Sequence, residues 1–382
     1  MLKTRLLTPG PTMIPESVLA LSSKPIPHHR TASFKKIMTD VQCGLKDLFQ
    51  TKQPVLMLTA SGTGAMDAAV SNLFCKGDKV ITVNSGKFGE RWTKIAKAYG
   101  LNPVEMKLVA GASIDPKELE TLLNANKDAK AVLFQASETS TGAAAPVKAV
   151  CDTIKKFPGV LCVVDAITAL GVMDLPMDDW GIDALMTGSQ KGIMLPPGLA
   201  LISLSEKAWK AAEKSDLPKF YFNLTKEKAA CAEEQTAWTP AISLIVGLQE
   251  SLKMIKEEGL SNVFKRHCLL AAASRAAVVA LGLELLSKDH PSDAVTAVKD
   301  PAEIKDGTAI PKTMRDKYGV TITGGQDELE GKIFRLTHLG YIDQFDVLTG
   351  IGALELSFGV LGYTKFQICA GSAAVLKTFS SK

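Results

Sequence analysis

The chain has 382 residues, of which 46% are hydrophobic and 22% are charged. At roughly 150 residues per domain, this length predicts two or three domains and excludes a peptide hormone, a disulfide-stabilised miniprotein and a single small binding module. The composition is typical of a globular protein in water, and a net charge of +4 without blocks of like charge argues against a nucleic-acid-binding surface. We therefore expect the partner to be a small molecule.

The cysteines and the two ends of the sequence indicate the cellular compartment in which the protein is expected. The seven cysteines form no CxxC pair, so neither a disulfide framework nor a zinc or iron–sulfur site is expected. No signal segment precedes Pro9, and the final FSSK is not a peroxisomal address. The longest apolar stretch, 268–286, carries Arg275 and Glu284, which favours a buried or amphipathic helix over a membrane span. We expect a cytoplasmic protein without a metal.

Short β-branched segments alternate with segments of helical length along the first part of the chain. The predicted strands are 55–59, 79–83, 131–135, 161–165, 184–187 and 199–204. The predicted helices between them are 63–75, 90–99, 116–124 and 147–157. This alternation predicts an α/β fold in which a mostly parallel sheet lies between layers of helices.

The pattern changes after residue 255, where a smaller α+β domain is predicted. Its predicted elements are a helix at 260–282, strands at 294–298, 320–323 and 332–336, and a final helical stretch. We divide the chain into an N-terminal arm (1–25), a large domain (26–255) and a small C-terminal domain (256–382), with a linking helix that begins near Ala241. The arm contains prolines 9, 11, 15 and 25, so no regular structure is expected there.

Three groups of residues at the ends of predicted strands could bind a ligand or react with it. In α/β sheets, ligands bind at the carboxyl ends of the strands. Residues 60–64, ASGTG, lie between a strand and a helix, where backbone N–H groups bind anions; ordinary helix capping is the alternative. Asp165 ends an apolar strand and needs a positive partner, unless it caps the next segment. Lys191 precedes the apolar residues 193–198, and such surroundings would lower its pKa and leave its amine neutral for attack on a carbonyl. The alternative is an exposed lysine in a loop.

A phosphate-binding turn, a buried carboxylate and a desolvated lysine are together the three attachments that pyridoxal 5′-phosphate (PLP) needs. With these residues in place, the sequence resembles the class V aminotransferases of fold type I, most closely the alanine–glyoxylate, serine–glyoxylate and serine–pyruvate group. The resemblance covers almost the whole chain. Its most specific blocks are TPGP, ASGTGA, SETSTG, VVDAITALG, TGSQKGIMLPPGLALIS and FRLTHLG.

The resemblance implies a role for each matching residue at the cofactor. Lys191 would form the covalent bond with PLP, and Asp165 would pair with the nitrogen of its ring. The phosphate would be bound by Ser61, Gly62, Thr63 and Gln190. Phe88 would stack on the ring where the family commonly has tryptophan, and Thr139 would contact the region of the ring oxygen.

Further roles concern the substrate and a second subunit. Arg335 matches the arginine that binds the α-carboxylate of the substrate, for which a two-pronged guanidinium is suited. Pro9 and Gly10 would lie near the substrate side chain. Thr239 resembles a residue that reaches the phosphate of the other subunit in a homodimer, although Thr236 stands where the family often has tyrosine. A role for His28 and His29 near the substrate is less expected than a solvated or interface pair.

The resemblance implies a two-step transfer of an amino group from an amino acid to an oxo acid, with glyoxylate as the acceptor. Only Arg335 of the seven arginines matches a carboxylate-binding position, which favours a small neutral donor, alanine or serine. Pyruvate as the acceptor and the direction of flux are left open.

Three alternatives differ in what they require. Phosphoserine aminotransferase needs further cationic side chains for its substrate. A cysteine desulfurase needs a nucleophilic cysteine late in the chain, but 269–368 contains none. Cyanobacterial relatives are sometimes labelled a soluble hydrogenase small subunit, which would make the chain a non-catalytic hydrogenase-associated subunit; hydrogen chemistry needs a cysteine-ligated metal.

Overall fold

A computed structural model describes residues 2–381 of the chain. The strands are β1 (Arg5–Leu6), β2 (Val55–Thr59), β3 (Lys79–Asn84), β4 (Asn102–Lys107), β5 (Ala131–Gln135), β6 (Ser137–Glu138), β7 (Ala143–Ala144), β8 (Leu161–Asp165), β9 (Ala184–Gly188), β10 (Leu199–Leu204), β11 (Val295–Lys299), β12 (Val320–Thr321), β13 (Thr323–Gly324) and β14 (Ile333–Thr337). The helices are α1 (Glu16–Ser22), α2 (Ala32–Phe49), α3 (Gly62–Leu73), α4 (Gly89–Ala98), α5 (Pro116–Ala125), α6 (Val147–Lys155), α7 (Met177–Trp180), α8 (Glu206–Ala212), α9 (Leu224–Cys231), α10 (Ile242–Glu258), α11 (Leu260–Ala280), α12 (Ala309–Tyr318), α13 (Gln344–Leu361) and α14 (Ala370–Ser380).

A seven-stranded sheet forms the centre of the molecule, with the strand order β2-β10-β9-β8-β5-β3-β4. Strand β10 runs antiparallel to both of its neighbours, and the other neighbouring pairs are parallel. Because β10 is inserted antiparallel, β2 runs in the same direction as β9 and β8. The carboxyl ends of these three strands therefore lie at one edge of the sheet.

Both faces of this sheet are covered, as the apolar strands require. Successive side chains of a strand point to opposite faces, and in β2 the buried Val55 and Met57 belong to one apolar cluster while Leu56 and Leu58 belong to another. The first cluster includes α2, α5, α6 and α10, and the second includes α3, α4 and α8. The predicted α/β fold, with helices on both sides of a mostly parallel sheet, is confirmed.

A third apolar cluster lies in the C-terminal part of the chain. It joins α11, α12, α13 and α14 to the three-stranded sheet β11-β14-β13. The predicted strand at 320–323 is divided, because Val320 and Thr321 pair with β1 whereas Thr323 and Gly324 pair with β14. The domain boundaries at residues 25 and 255 remain a prediction.

The expectation that the arm lacks regular structure is wrong. Strand β1 pairs in parallel with β12, and helix α1 begins directly after Pro15. Proline is compatible with a helix start because the first N–H groups of a helix have no intrahelical partner. The prolines of the arm thus punctuate short elements instead of preventing them.

Helix α13 is the one helix of residues 2–381 that is long and apolar enough to cross a membrane, judged by length and composition. Its Ile351, Leu354 and Phe358 are buried in the third apolar cluster. A core helix meets the same criteria of length and composition. The apolar stretch singled out in the sequence begins within α11, whose buried Ala273, Ala277 and Val278 pack in that same cluster.

Candidate active site

Eight of the predicted site residues meet in a cavity of about 280 Å³ at the carboxyl edge of the central sheet. The cavity is lined by Ser61, Gly62, Thr63, Phe88, Arg91, Ser137, Thr139, Asp165, Ile167, Thr168, Gln190 and Lys191. Ser61–Thr63 follow β2, Asp165 ends β8, and Gln190 and Lys191 follow β9. The positions expected from strand order are therefore brought together.

Asp165 is buried, with 4% of its surface exposed. Its Oδ1 accepts a hydrogen bond from the N–H of Ile167 at 2.8 Å. Burial raises the pKa of Asp165 to about 7, nearby Glu138 adds to the rise, and the Ile167 N–H and the positive Arg91 and Lys191 oppose it. Such a carboxyl group gains most from a positive partner brought into the cavity.

Lys191 is also buried, with 8% of its surface exposed. Its Nζ donates a hydrogen bond to the backbone oxygen of Pro9. Burial, with the positive charges of Arg335 and Arg91, lowers the pKa of Lys191 to about 8, and Asp165 opposes the shift. At pH 7 about a tenth of such an amine is neutral, far more than for an ordinary lysine, and the neutral form is the one that attacks.

The N-terminal arm closes one side of this lysine. Gly10 has a φ of +130°, and a Cβ added there would lie 2.2 Å from Lys191 Nζ. Glycine is required at this position both by its backbone conformation and by the approach of the lysine. Thr12 donates a further hydrogen bond to the backbone oxygen of Lys191 at 3.3 Å.

The turn between β2 and α3 is built to receive an anion. Ser61 occupies the N-cap position of α3, but its side chain makes no capping hydrogen bond, so the structure does not support ordinary capping. Gly62 and Thr63 line the cavity at the first turn of the helix, where the helix dipole favours negative charge. Next to them, Gln190 has a buried Oε1 without a hydrogen-bond partner in residues 2–381. As placed, this oxygen needs a hydrogen-bond donor from outside the chain, whereas the amide turned over would direct its NH2 group to an anion.

Arg335 lies on β14, and 4% of its surface is exposed. Its Nε and Nη2 donate to the backbone oxygen of Gly324 at 3.0 and 2.8 Å, and its Nη1 donates to that of Thr139 at 3.2 Å. Within residues 2–381 it forms no ion pair with a carboxylate. Burial lowers its pKa to about 10, and Glu138 opposes this. Arg335 does not line the cavity itself, but it is held against Thr139, which does.

Phe88 and Arg91 form the opposite wall at the start of α4. The guanidinium carbon of Arg91 lies 4.7 Å from the centre of the Phe88 ring, and its Nη1 donates to Thr63 Oγ1 at 2.9 Å. The buried carboxylate of Glu138 accepts from the N–H groups of Phe88 and Gly89 at 3.2 and 2.8 Å. Glu138 thereby fixes the helix start that positions both side chains.

Thr139 is held by a chain of hydroxyl contacts. Its Oγ1 lies 3.0 Å from Oγ1 of Thr168, and Thr168 donates to the backbone oxygen of Ser137 at 3.2 Å. Ser137 lies on β6, and Thr139 follows β6 at the start of the turn that leads to β7. The SETSTG block thus forms one side of the cavity.

Two predicted groups lie elsewhere. Thr239 is exposed and lines a separate narrow groove beside Trp238, so its contact with another subunit remains a prediction. His28 is exposed, and its ring lies 4.7 Å from that of the half-buried His29, outside the lining of the cavity. Neither group belongs to the site within this single chain.

The sequence analysis missed five residues of the site. They are Arg91, Ser137, Glu138, Ile167 and Thr168. All but Arg91 lie inside the SETSTG and VVDAITALG blocks, so their position in these blocks was an available signal. Arg91 carries a different signal, because a cation in the first turn of a helix opposes the helix dipole.

Comparison with known proteins identifies the class. The aminotransferase class V family model matches residues 6–329. A soluble hydrogenase small subunit of Synechococcus sp. (strain PCC 6716) is 42% identical over 383 positions, 99% of each chain. An L-aspartate–glyoxylate aminotransferase of Paracoccus denitrificans is 35% identical, with 96% of this chain and 93% of that one covered. The chain belongs to the class V aminotransferases.

Two further relatives bear on the substrate. A serine–glyoxylate aminotransferase of Methylorubrum extorquens is 34% identical, with 93% of this chain and 91% of that one covered. The crystal structure of alanine–glyoxylate aminotransferase from Nostoc sp. has a TM-score of 0.89 and 28% identity, with 94% and 96% covered. The cofactor of this family is PLP, and the fold is that of the fold type I PLP-dependent transferases.

The residues present fit PLP. The uncapped start of α3 suits a phosphate, and so does Gln190 when its amide is turned so that the NH2 group donates. The buried Asp165 suits a ring nitrogen, and the desolvated Lys191 suits an aldehyde. In residues 2–381 no group of three or more histidine, cysteine, aspartate or glutamate side chains is placed to hold a metal ion.

Proposed function

We propose that this protein transfers the amino group of alanine or serine to glyoxylate, yielding glycine and the oxo acid of the donor. The observation that carries the proposal is the convergence of a buried amine, Lys191, and a buried carboxyl group, Asp165, in one cavity beside a buried guanidinium without an anion, Arg335. These groups match the three needs of the reaction: a base, a partner for the cofactor ring and a carboxylate receptor.

PLP, when bound, supplies an aldehyde that takes up the amino group and a ring that accepts electrons from the substrate Cα. Lys191 would hold it covalently, Asp165 would pair with its ring nitrogen, and Ser61, Gly62, Thr63 and Gln190 would bind its phosphate. Phe88 would stack on the ring. The amine of Lys191, when free, would act as the base that removes the proton from the substrate Cα.

Substrate orientation falls to Arg335 and the arm. Three of the five N–H donors of Arg335 are used by Gly324 and Thr139, and the remaining ones are available to the α-carboxylate of the substrate. Pro9 and Gly10 cover Lys191 from the other side and keep water from its amine. The carboxylate is thereby fixed while the Cα faces the base.

The choice of substrates rests on the relatives and on the arginines. Glyoxylate is the acceptor in the names of the Paracoccus, Methylorubrum and Nostoc proteins, whereas their donors differ. Arg91 lines the cavity, but its hydrogen bond to Thr63 holds it beside the α3 turn. We infer that Arg91 serves that end of the cavity and not a second carboxylate of the substrate, which favours a neutral donor.

We further propose that the chain acts in the cytoplasm as a homodimer, in which Thr239 of each subunit completes the phosphate site of the other. The exposed position of Thr239 outside its own cavity supports this arrangement. Sedimentation analysis of the holoenzyme should give a dimer. A monomer with full activity would contradict the proposal.

The function is tested by half-reactions of purified holoenzyme with a panel of amino acids, followed by recovery of the cofactor spectrum with each oxo acid. We expect alanine or serine to react fastest, and glyoxylate to restore the spectrum best. A preference for glutamate, aspartate or phosphoserine would contradict the assignment of the donor.

The site is tested separately by borohydride reduction and peptide mapping. A pyridoxyl group should be found on Lys191, and Lys191→Ala should lose both the label and turnover. Lys94→Ala is the matched control, because Lys94 is an exposed lysine whose ion pair in the described part of the chain is with Glu90. Labelling at another lysine would overturn the site.

A further inference from the structure

We propose that Arg91 is a positioning residue for the phosphate of the cofactor. Its guanidinium group makes the hydroxyl of Thr63 a hydrogen-bond donor toward the phosphate and adds positive charge at that end of the cavity. This inference rests on the proposed cofactor site and is independent of which amino acid is the donor.

A hydrogen bond joins the side chains of Arg91 and Thr63. Arg91 Nη1 donates to Thr63 Oγ1 at 2.9 Å. A hydroxyl group has one hydrogen, and a guanidinium never accepts a hydrogen bond, so the hydrogen of Thr63 must point elsewhere. No acceptor for it is found in residues 2–381. Thr63 is therefore set to donate to a group that enters the cavity.

The positive charge of Arg91 stands at an unfavourable position in its helix. It lies in the first turn of α4, where the helix dipole disfavours a cation. Within residues 2–381 it forms no ion pair, and the nearby Glu90 is paired with Lys94 and Lys87. An anion in the cavity would offset this cost, and the α3 turn contacted by Arg91 is the part of the cavity suited to an anion.

The guanidinium group of Arg91 also contacts the ring of Phe88. The guanidinium group lies 4.7 Å from the ring centre and covers one face of the ring. The same side chain thus holds Thr63 on the phosphate side and Phe88 on the stacking side. The contact with Phe88 helps to hold the guanidinium group beside Thr63, at the end of the cavity suited to the phosphate.

The experiment measures binding of PLP and of pyridoxal, which lacks the phosphate, to the apoenzyme. Arg91→Gln should weaken PLP binding about 10- to 100-fold, as expected for loss of a charge-assisted contact, and leave pyridoxal binding within about 3-fold of wild type. Arg91→Lys keeps the positive charge but not the forked guanidinium group. Its affinity for PLP should lie between that of wild type and that of Arg91→Gln. Arg315→Gln is the control, because Arg315 is exposed and pairs only with Asp316.

A double-mutant cycle tests the route through Thr63. If Arg91 acts through this hydroxyl, Thr63→Val should weaken PLP binding, and adding it to Arg91→Gln should cost less than the sum of the two changes. Thr63→Ser should retain binding, because the hydroxyl is kept. Full additivity in the cycle would contradict the coupling.

Other outcomes overturn the inference without affecting the proposed function. One is PLP affinity in Arg91→Gln equal to that of wild type; another is an equal loss of PLP and pyridoxal, which indicates damage to Phe88 or the fold. A raised KM for dicarboxylic substrates at unchanged PLP affinity would assign Arg91 to a substrate carboxylate. Failure of the wild-type protein to bind PLP at Lys191 would instead overturn the proposed function.

Discussion

The ε-amino group of Lys191 donates a hydrogen bond to the backbone oxygen of Pro9, which lies 182 positions earlier in the chain. The arm that carries Pro9 is tied to the C-terminal part of the molecule by the pairing of β1 with β12. The amine is consequently positioned by segments from both ends of the sequence. Changes in the arm should therefore affect the chemistry of a residue in the centre of the chain.

Gly10→Ala provides the most direct test of this relationship. The added Cβ would lie 2.2 Å from Lys191 Nζ, and the φ of +130° is strained for alanine, so either the arm or the lysine must move. A displacement of about 1 Å can cost about 100-fold in rate, and we expect a kcat loss of this order. The rate of PLP incorporation into the apoenzyme should also fall. Wild-type kinetics in this variant would contradict the close approach.

Arg335→Gln should mainly impair binding of the amino acid. Loss of a charge-assisted pair with the α-carboxylate costs about 1.5–3 kcal/mol, which is about 10- to 100-fold in kcat/KM. Affinity for PLP itself should change little, because Arg335 does not line the cavity. Half-reaction rates measured against alanine concentration provide the test. An unchanged dependence on concentration would contradict the role in carboxylate binding.

Asp165→Asn should stabilise the apoprotein while it removes activity. The folded-state pKa of Asp165 is about 7, above the ordinary value of 3.8, so stability is lost in the wild type as pH rises between these values. Asparagine carries no charge, and removal of an unpaired buried carboxylate should gain about 1–3 kcal/mol at pH 8. The gain should vanish near pH 4. Thermal unfolding at both pH values measures it.

The control for this effect is Asp128→Asn. Asp128 is exposed and paired with Lys79, which lowers its pKa. Its loss should bring no gain in stability at pH 8. Addition of PLP should stabilise wild type more than Asp165→Asn, because the ring nitrogen pairs with the carboxylate. Equal stabilisation would contradict that pairing.

Glu138→Gln tests the anchor of α4. The carboxylate accepts from the N–H groups of Phe88 and Gly89, from the N–H and hydroxyl of Ser140, and from Gln135. A neutral amide has a single acceptor oxygen and leaves some of these donors unsatisfied, at a cost of about 1–3 kcal/mol in the free energy of unfolding. Denaturant unfolding measures this loss. A variant of wild-type stability would show that the network is dispensable.

Much of the central sheet could be predicted because its strands are buried on both faces and therefore apolar without interruption. Strands β2, β5, β8 and β10 have the predicted bounds. Strand β4, at the edge of the sheet and only partly buried, was missed, since an edge strand contains polar residues and here Pro103. Helix α2 was missed despite apolar residues at 34, 38, 41, 45 and 48. The prediction relied on helices that alternate with strands, and no predicted strand precedes α2.

The site was predictable where chemistry lies at strand ends and not where it depends on contacts across the fold. Asp165 and Lys191 follow apolar strands, which the sequence displays directly. The approach of Gly10 to Lys191 and the contact between Arg91 and Thr63 join residues that are distant in the chain. Their partners are defined only by the folded structure, so composition and spacing contain no sign of them.

The pairing of β1 with β12 has a consequence for the order of assembly during synthesis. Arg5 and Leu6 leave the ribosome first, but their partners Val320 and Thr321 emerge only after more than four fifths of the chain has been made. Until then the arm can be held beside the lysine by the contacts of Thr12 with Gln190 and Lys191, without the support of β12. The pairing of β1 is therefore completed late in translation, after the strands that carry the cavity have been made.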